Sequence, residues 1–206
     1  MASKVRDKIL DAAASCFHDL GFNGCSIQDI VDKGGVPKGS FYNYFKTKEA
    51  LAVEVLKLYA QGTRREMLAD SSTPPVARLR GHFEFMASRY AAFGYSKGCL
   101  IGNFAAESSD HTPLVRAHLA DSLVRWTEAV ASAIREGQED GSIVAGLDPV
   151  STARFLINSW EGAVVRMKIA NSREPLEDYF TIAFSLLVSR DKPADTGKKP
   201  TRKAAA

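Results

Sequence analysis

The sequence offers little to an oxidising compartment, a metal ion or a membrane. Its 206 residues include three cysteines, at positions 16, 25 and 99, an odd number at spacings that suit neither a paired disulfide framework nor a set of metal ligands. No apolar run approaches the ~20 residues that a membrane span needs, and the N-terminus lacks the apolar stretch of a secretory signal. A reducing cytoplasm is the expected address, with no cofactor and no metal. A convincing strand pattern longer than a few residues is also missing. Charge of one sign is lacking too. Lys plus Arg number 27 against 24 Asp plus Glu, and residues 191–206 alone hold five basic and two acidic side chains, the same surplus of three. The remainder is neutral overall, so net charge does not itself argue for nucleic acid.

What is present is helical period. Hydrophobic residues make up 45% of the chain, enough for the core of one ordinary domain or two small ones. Val5, Ile9, Leu10, Ala13, Cys16, Phe17 and Leu20 recur at spacings of three and four, which predicts an amphipathic helix over 3–20 with Ser3 as cap and Gly21 as stop. Lys4, Arg6 and Lys8, which share the helix with Asp7, Asp11 and Asp19, make its start either a basic arm within reach of phosphate or a solvated face.

The stretch from Ser26 to Glu49 organises the rest. Ser26 suits an N-cap, and Ile27, Ile30 and Val31 fall on one face of a short helix that the Gly34-Gly35 pair ends. Pro37 suits the first turn of a second helix, in which Phe41 and Phe45 form an i, i+4 apolar pair. Two short helices joined by a tight glycine turn predict a helix-turn-helix, whose second helix enters the major groove of double-stranded DNA. On that helix Lys38, Ser40, Tyr42 and Asn43 are the candidates for base edges or flanking phosphates, Asn43 being suited to an amide contact with adenine or to phosphate. Gly39 lets the backbone come close. Tyr44, Lys46, Lys48 and Ser26 are the candidate anchors on the DNA backbone.

The run Gly34-Gly35-Val36-Pro37-Lys38-Gly39-Ser40-Phe41-Tyr42-Asn43-Tyr44-Phe45-Lys46-Thr47-Lys48-Glu49-Ala50-Leu51 resembles the signature of the TetR/AcrR family of bacterial repressors. That signature has a Gly-(Val/Thr) step, a Ser-Gly-like pair, an apolar-Tyr-x-(His/Tyr)-Phe run and a Ser/Asn/Thr-Lys-Glu. In this chain the pair reads Gly39-Ser40, and Tyr44 stands where His is common. The likeness spans roughly the first 60 residues. It implies an all-α homodimer: a three-helix head and a helical bundle, about nine helices in all, that bind a palindromic operator and a small-molecule effector.

Beyond the head, Thr47 predicts the cap of a connecting helix over 48–70, about 30 Å long at ~1.5 Å per residue. The Ser71-Ser72-Thr73-Pro74-Pro75 run forbids helix through it. Further helices are expected over 76–92, 99–108, 113–137, 149–170 and 175–189. The domains are therefore drawn as a DNA-binding head over 1–50 with its connecting helix 48–70, a ligand-binding and dimerisation body over 71–190, and a disordered basic tail over 191–206. The two late helices carry more apolar surface than one small bundle can bury, which predicts a dimer face including Phe155, Ala163, Phe180 and Leu187. Two heads about 34–36 Å apart would then read successive major-groove faces.

Phe83, Met86, Tyr90, Phe104, Trp126 and Trp160 are core residues by type. With Asn103 and Lys168 as polar members they are also candidates to line an effector cavity. Cys99 should stand at a helix N-terminus, where the dipole and a nearby cation favour the thiolate. The segment Gly98-Cys99-Leu100-Ile101-Gly102-Asn103 is similar to that of a TetR-family branch that answers electrophiles or oxidants through a cysteine here. In that branch a lysine of the penultimate helix lies near the sulfur, and Lys168 matches its position. Two other classes remain. A thiol hydrolase pairing Cys99 with His111 or His118 lacks the strand-turn-helix setting such nucleophiles use. A protein-interaction module without DNA binding would have no need of Tyr42, Asn43, Tyr44 and Lys48 on one short helix.

Overall fold

The computed structural model describes residues 2–107 and 111–189, with side chains from residue 4 onward. The tail expected over 191–206, Ser108 at the expected end of one helix, and the side chain of Ser3 as a cap lie outside the described residues.

Among the described residues the chain forms nine α-helices: α1 (Ala2–Gly24), α2 (Ile27–Gly34), α3 (Lys38–Tyr42), α4 (Lys48–Gln61), α5 (Pro75–Ala91), α6 (Leu100–Glu107), α7 (Pro113–Glu139), α8 (Pro149–Ala170) and α9 (Glu174–Leu187). The sole pairing of extended backbone among them is an isolated bridge between Ile143 and Val188. In α1, Ile9, Leu10, Ala13, Cys16 and Phe17 point inward as their spacing predicts, while Leu20 is exposed. Gly21 breaks the helical dihedrals at φ 73°, ψ 177°, and one further turn carries α1 to Gly24. Ile30, Val31, Phe41 and Phe45 close the head core over α1, and Leu51, Val55 and Leu56 seat α4 against it.

The connecting helix is shorter than its apolar period predicts. Thr47 caps it as expected, its side chain accepting from Ala50 N at 3.1 Å, but α4 ends at Gln61 after 14 residues, about 21 Å at ~1.5 Å per residue. Arg64 turns left-handed at φ 53°, and residues Arg65–Ala69 form a 3-10 turn. That break swings the Arg65 guanidinium inward, where it donates to Ser122 O at 3.0 Å and lies 5.1 Å from the Trp126 ring.

The body packs α7 against α5 and α8, and α8 against α9. Pro75, Pro113, Pro149 and Pro175 each open a helix at its first turn, where a missing N–H costs little.

Candidate DNA interface and effector site

The head presents α3 through a capped and closed α2. The Ser26 side chain accepts from Asp29 N at 3.1 Å while Asp29 Oδ2 accepts from Ser26 N at 2.8 Å, a reciprocal capping box. Gly35 ends α2 left-handed at φ 58° and turns the chain into α3. Only Phe41 of α3 is buried. Lys38, Gly39, Tyr42, Asn43 and Lys46 are exposed, Ser40 and Tyr44 half-buried. A Cβ added at Gly39 would meet nothing within 4 Å, so its face is open to an approaching backbone. The helix is shorter than expected: Asn43 is its C-cap, and Tyr44 and Phe45 return to Phe41 O through backbone bonds of 3.0 and 2.9 Å.

Three expected phosphate contacts are otherwise engaged. Lys48 Nζ donates to Phe22 O and Cys25 O, both at 2.8 Å, and stands 4.4 Å from the Phe22 ring. It closes the end of α1 because the last carbonyls of a helix attract a cation. The Ser26 hydroxyl donates to Asp29 Oδ2 at 2.7 Å and is spent on the cap. Arg6 of the N-terminal arm pairs with Glu54 at 3.0 Å and covers Phe45.

The head and body meet through specific side chains. Glu107 Oε2 accepts from Asn23 N at 2.7 Å. Asp19 is shared between Lys33 of α2 at 3.0 Å and Lys97 of the body at 3.1 Å. Glu49 of α4 accepts from Leu114 N and Val115 N at 3.0 and 3.3 Å, in the first turn of α7. Phe104, expected in the effector cavity, lies instead edge-on to Phe17 at 5.2 Å and tilted against Phe22 at 5.5 Å. Asn103 and Lys168 likewise line a cleft with Phe17, His18 and Glu107 at this joint. They are separate from the aromatic centre of the body because α6 turns that side toward α1.

The centre gathers Phe83, Trp126 and Trp160, with Phe83 at 6.3 Å from Trp126 and 5.2 Å from Trp160. Tyr90 stacks on Trp160 at 6.2 Å, and Met86 is buried beside them. His82 and Tyr179, absent from the sequence-based set, belong to the same cluster: Trp126 Nε1 donates to His82 Nε2 at 3.0 Å, and Tyr179 lies 5.1 Å from Trp160.

Cys99 is buried just before α6, and its surroundings reverse the expected electrostatics. Burial pushes the thiol pKa up, and the Glu161 carboxyl beside it adds to the rise. The group next to the sulfur is thus an acid. Lys168 runs its stem past Gly98, with Cδ 3.5 Å from where a Cβ would stand, and its charge bears on His18. Glu161 fits only because Gly102 has no side chain; a Cβ there would stand well inside contact distance of Glu161 Oε2. Burial pushes the Glu161 carboxyl up to about 7, with Cys99 and Arg65 opposing. His118 sits elsewhere, among Lys57, Arg125, Asp121 and Glu54. A carboxylate inside the apolar run Trp160-Glu161-Gly162-Ala163 was the available signal for this site.

On the far side, Phe155 (58% exposed), Ile182 (59%) and Leu186 (61%) form an open apolar face on α8 and α9. Leu147, Leu156 and Ala183 line a groove beside it. Two expected members of this face are corrected. Phe180 and Leu187 are buried within the protomer, 5% and 2% exposed, because with Phe184 they form the inner stripe of α9. Ala163 is half-buried.

Comparison with known proteins agrees with this architecture. The family described as bacterial regulatory proteins, tetR family, matches residues 9–55, and the tetracyclin repressor-like C-terminal domain matches residues 75–183. The HTH-type transcriptional repressor DhaR of Mycobacterium sp. strain GP1 is 40% identical over 187 residues, covering 89% of this chain and 92% of its own. The crystal structure of the reduced form of E. coli NemR superposes with a TM-score of 0.82 at 27% identity, over 91% of this chain and 99% of that one. A regulatory protein TetR from Rhodobacter sphaeroides gives 0.80 at 29% identity, over 88% and 98%. With a head and a body that both match along their length, the chain belongs to the TetR family of bacterial regulatory proteins.

Proposed function

We propose that this protein is a homodimeric transcriptional repressor that grips a palindromic operator and is released by a small-molecule effector held in its body. The head through residue 50 reads DNA, and the body over 71–190 dimerises and senses. The observation that carries the reading is α3: Lys38, Gly39 and Tyr42 stand exposed on a helix that only Phe41 anchors, and Asn43 is exposed at its C-cap. Lys38, Ser40, Tyr42 and Asn43 take the base edges and nearest phosphates, and Tyr44 and Lys46 the backbone. The open face around Phe155, Ile182 and Leu186 pairs two copies through α8 and α9, and Ala163 lies along it. Relatives named as transcriptional repressors support the direction of control. No described helix is long and apolar enough to cross a membrane. The test is fluorescence anisotropy on the chain's own upstream DNA: the wild type should bind a palindrome with nanomolar-range affinity, and Tyr42→Ala with Lys38→Ala should abolish it. Retained binding by the double variant would sink the reading.

A second reading places the effector step on Cys99, with the Glu161 carboxylate taking the thiol proton as the sulfur adds to an electrophile. The placement of the Cys99 and Glu161 side chains together beside Gly102 favours it, as does the likeness to the repressor NemR. Retention of operator by Cys99→Ser under a mild electrophile that releases the wild type would support it.

A further inference from the structure

Four polar rings surround Phe83. Their centroids lie at 5.4 Å for His82, 6.3 Å for Trp126, 5.2 Å for Trp160 and 5.2 Å for Tyr179. Trp126 gives its N–H to His82 Nε2. The other three rings each carry a buried polar atom that no protein group satisfies: His82 Nδ1, Trp160 Nε1 and the Tyr179 hydroxyl. His82 and Trp160 are fully buried and Tyr179 is 6% exposed. Native interiors seldom leave such groups unpaired, so a cluster of three asks for an explanation.

The chemistry of the three atoms is of one kind. An indole N–H donates and cannot accept. His82 accepts at Nε2, so that nitrogen is bare; burial, aided by Arg65, lowers the imidazole to about 4, so the ring is neutral and its one proton sits on Nδ1. Burial keeps the Tyr179 hydroxyl protonated. Three neutral groups therefore hold hydrogens for which the protein supplies no acceptor. The neighbouring cation, Arg65, donates through Nη1 to Ser122 O and Ser122 Oγ at 3.0 and 3.3 Å, while its Nε finds no partner. The three donors are all neutral, and among buried rings an uncharged acceptor costs less to desolvate than a charged one. The ring walls favour an apolar frame around that acceptor.

We infer that the effector is an uncharged small molecule with an apolar frame and a carbonyl-type oxygen, received by the donors of His82, Trp160 and Tyr179 as the Phe83 ring gives way. The inference rests on the reading that the body holds an effector, and it names the chemical class.

The chain's two tryptophans, Trp126 and Trp160, both stand in this cluster, so intrinsic emission reports on it directly. The full-length protein is titrated with acetophenone and with ethylbenzene, the same frame with a methylene in place of the carbonyl. Acetophenone should shift the emission and bind about tenfold more tightly than ethylbenzene. Tyr179→Phe should weaken acetophenone about five- to tenfold and leave ethylbenzene unchanged. Without any probe, Tyr179→Phe should melt at a higher temperature than wild type, since it deletes an unpaired buried hydroxyl and little volume. Equal affinity for the two probes, no emission change with acetophenone, an acetophenone affinity untouched by Tyr179→Phe, or a lowered melting point of the free variant each overturns the inference. Acetophenone bound as expected while operator affinity stays unchanged keeps the donor site and overturns the effector reading instead.

Discussion

The backbone N–H of Asn23 donates to Glu107 Oε2 at 2.7 Å, tying the last turn of α1 in the head to the last turn of α6 in the body. The bond forms where Gly21 has left the helical dihedrals, at φ 73°. A Cβ at Gly21 would be strained by that φ and would run into the Glu107 carboxylate. Gly21→Ala should therefore destabilise the fold by about 1–3 kcal/mol and raise hydrogen exchange at Asn23. Thermal melting with exchange mass spectrometry checks both. An unchanged melting point would mean the latch carries no stability.

Lys38 and Lys48 should behave as opposites. Lys38 is exposed on α3, whereas Lys48 is bonded to the carbonyls of Phe22 and Cys25. Lys38→Ala should lower the slope of log affinity against log salt by about one unit and leave the melting point alone. Lys48→Ala should cost the head about 1–2 kcal/mol, near the upper range for a cation at a helix C-terminus, with its salt slope close to wild type. Salt-dependent anisotropy beside thermal melts separates the two, and a reversed pattern would return Lys48 to the phosphate.

The pH dependence of stability should carry two opposed components. Burial raises the folded Glu161 carboxyl from its ordinary 4.5 to about 7, so its contribution is full below about 4.5 and is lost as pH rises through 7. Burial lowers folded His82 from 6.5 to about 4; its contribution is full above about 6.5 and is lost as pH falls toward 4. Glu161→Gln should remove the first and keep the second. Relative to wild type, the variant's melting temperature should climb between pH 5 and 8; a constant offset would show that Glu161 does not titrate there.

In the same variant the Cys99 thiol loses the carboxylate that opposes its ionisation. Alkylation of Cys99 by iodoacetamide, followed by mass spectrometry, should set in at lower pH in Glu161→Gln than in wild type. Identical profiles would show that burial alone governs the sulfur.

Neighbouring leucines on α9 should separate assembly from folding. Leu186 is 61% exposed on the open face and Leu187 is 2% exposed. Leu186→Glu should yield folded monomers by light scattering, whereas Leu187→Ala should keep the dimer and cost about 2–5 kcal/mol. A dimer that survives Leu186→Glu would place the interface elsewhere.

Much of this was legible from the sequence where the signal was local. The apolar spacing of Ile9, Ala13, Cys16 and Phe17, the caps at Ser26 and Thr47, and the prolines that open α5, α7, α8 and α9 all act within a few residues of themselves. The helix α3, though shorter than expected, was legible for the same reason. What failed needed distant partners. The period of α4 ran on past Gln61, while the chain breaks where Arg89 holds Gly62 O and Arg65 reaches Ser122 and Trp126, all distant in sequence. Lys48 read as a free cation because Phe22 and Cys25 lie more than twenty residues earlier in the chain. Phe104 and Phe83 are alike by composition; the side each helix turns to its neighbours assigns one to the joint and the other to the body. Glu161 and His82 look like ordinary polar residues until Gly102 and Trp126 are placed beside them.

Glu49 gives the two halves a shared dependence. Thr112 offers α7 no side-chain cap, and the first N–H groups of that helix, at Leu114 and Val115, are taken by a carboxylate from α4. The longest helix of the body thus borrows its start from the head's connecting helix. A chimera that grafts this body onto a foreign head should fray α7 unless the donor carries an acid at the position of Glu49, so exchange of parts between relatives is constrained by one side chain outside both proposed binding sites.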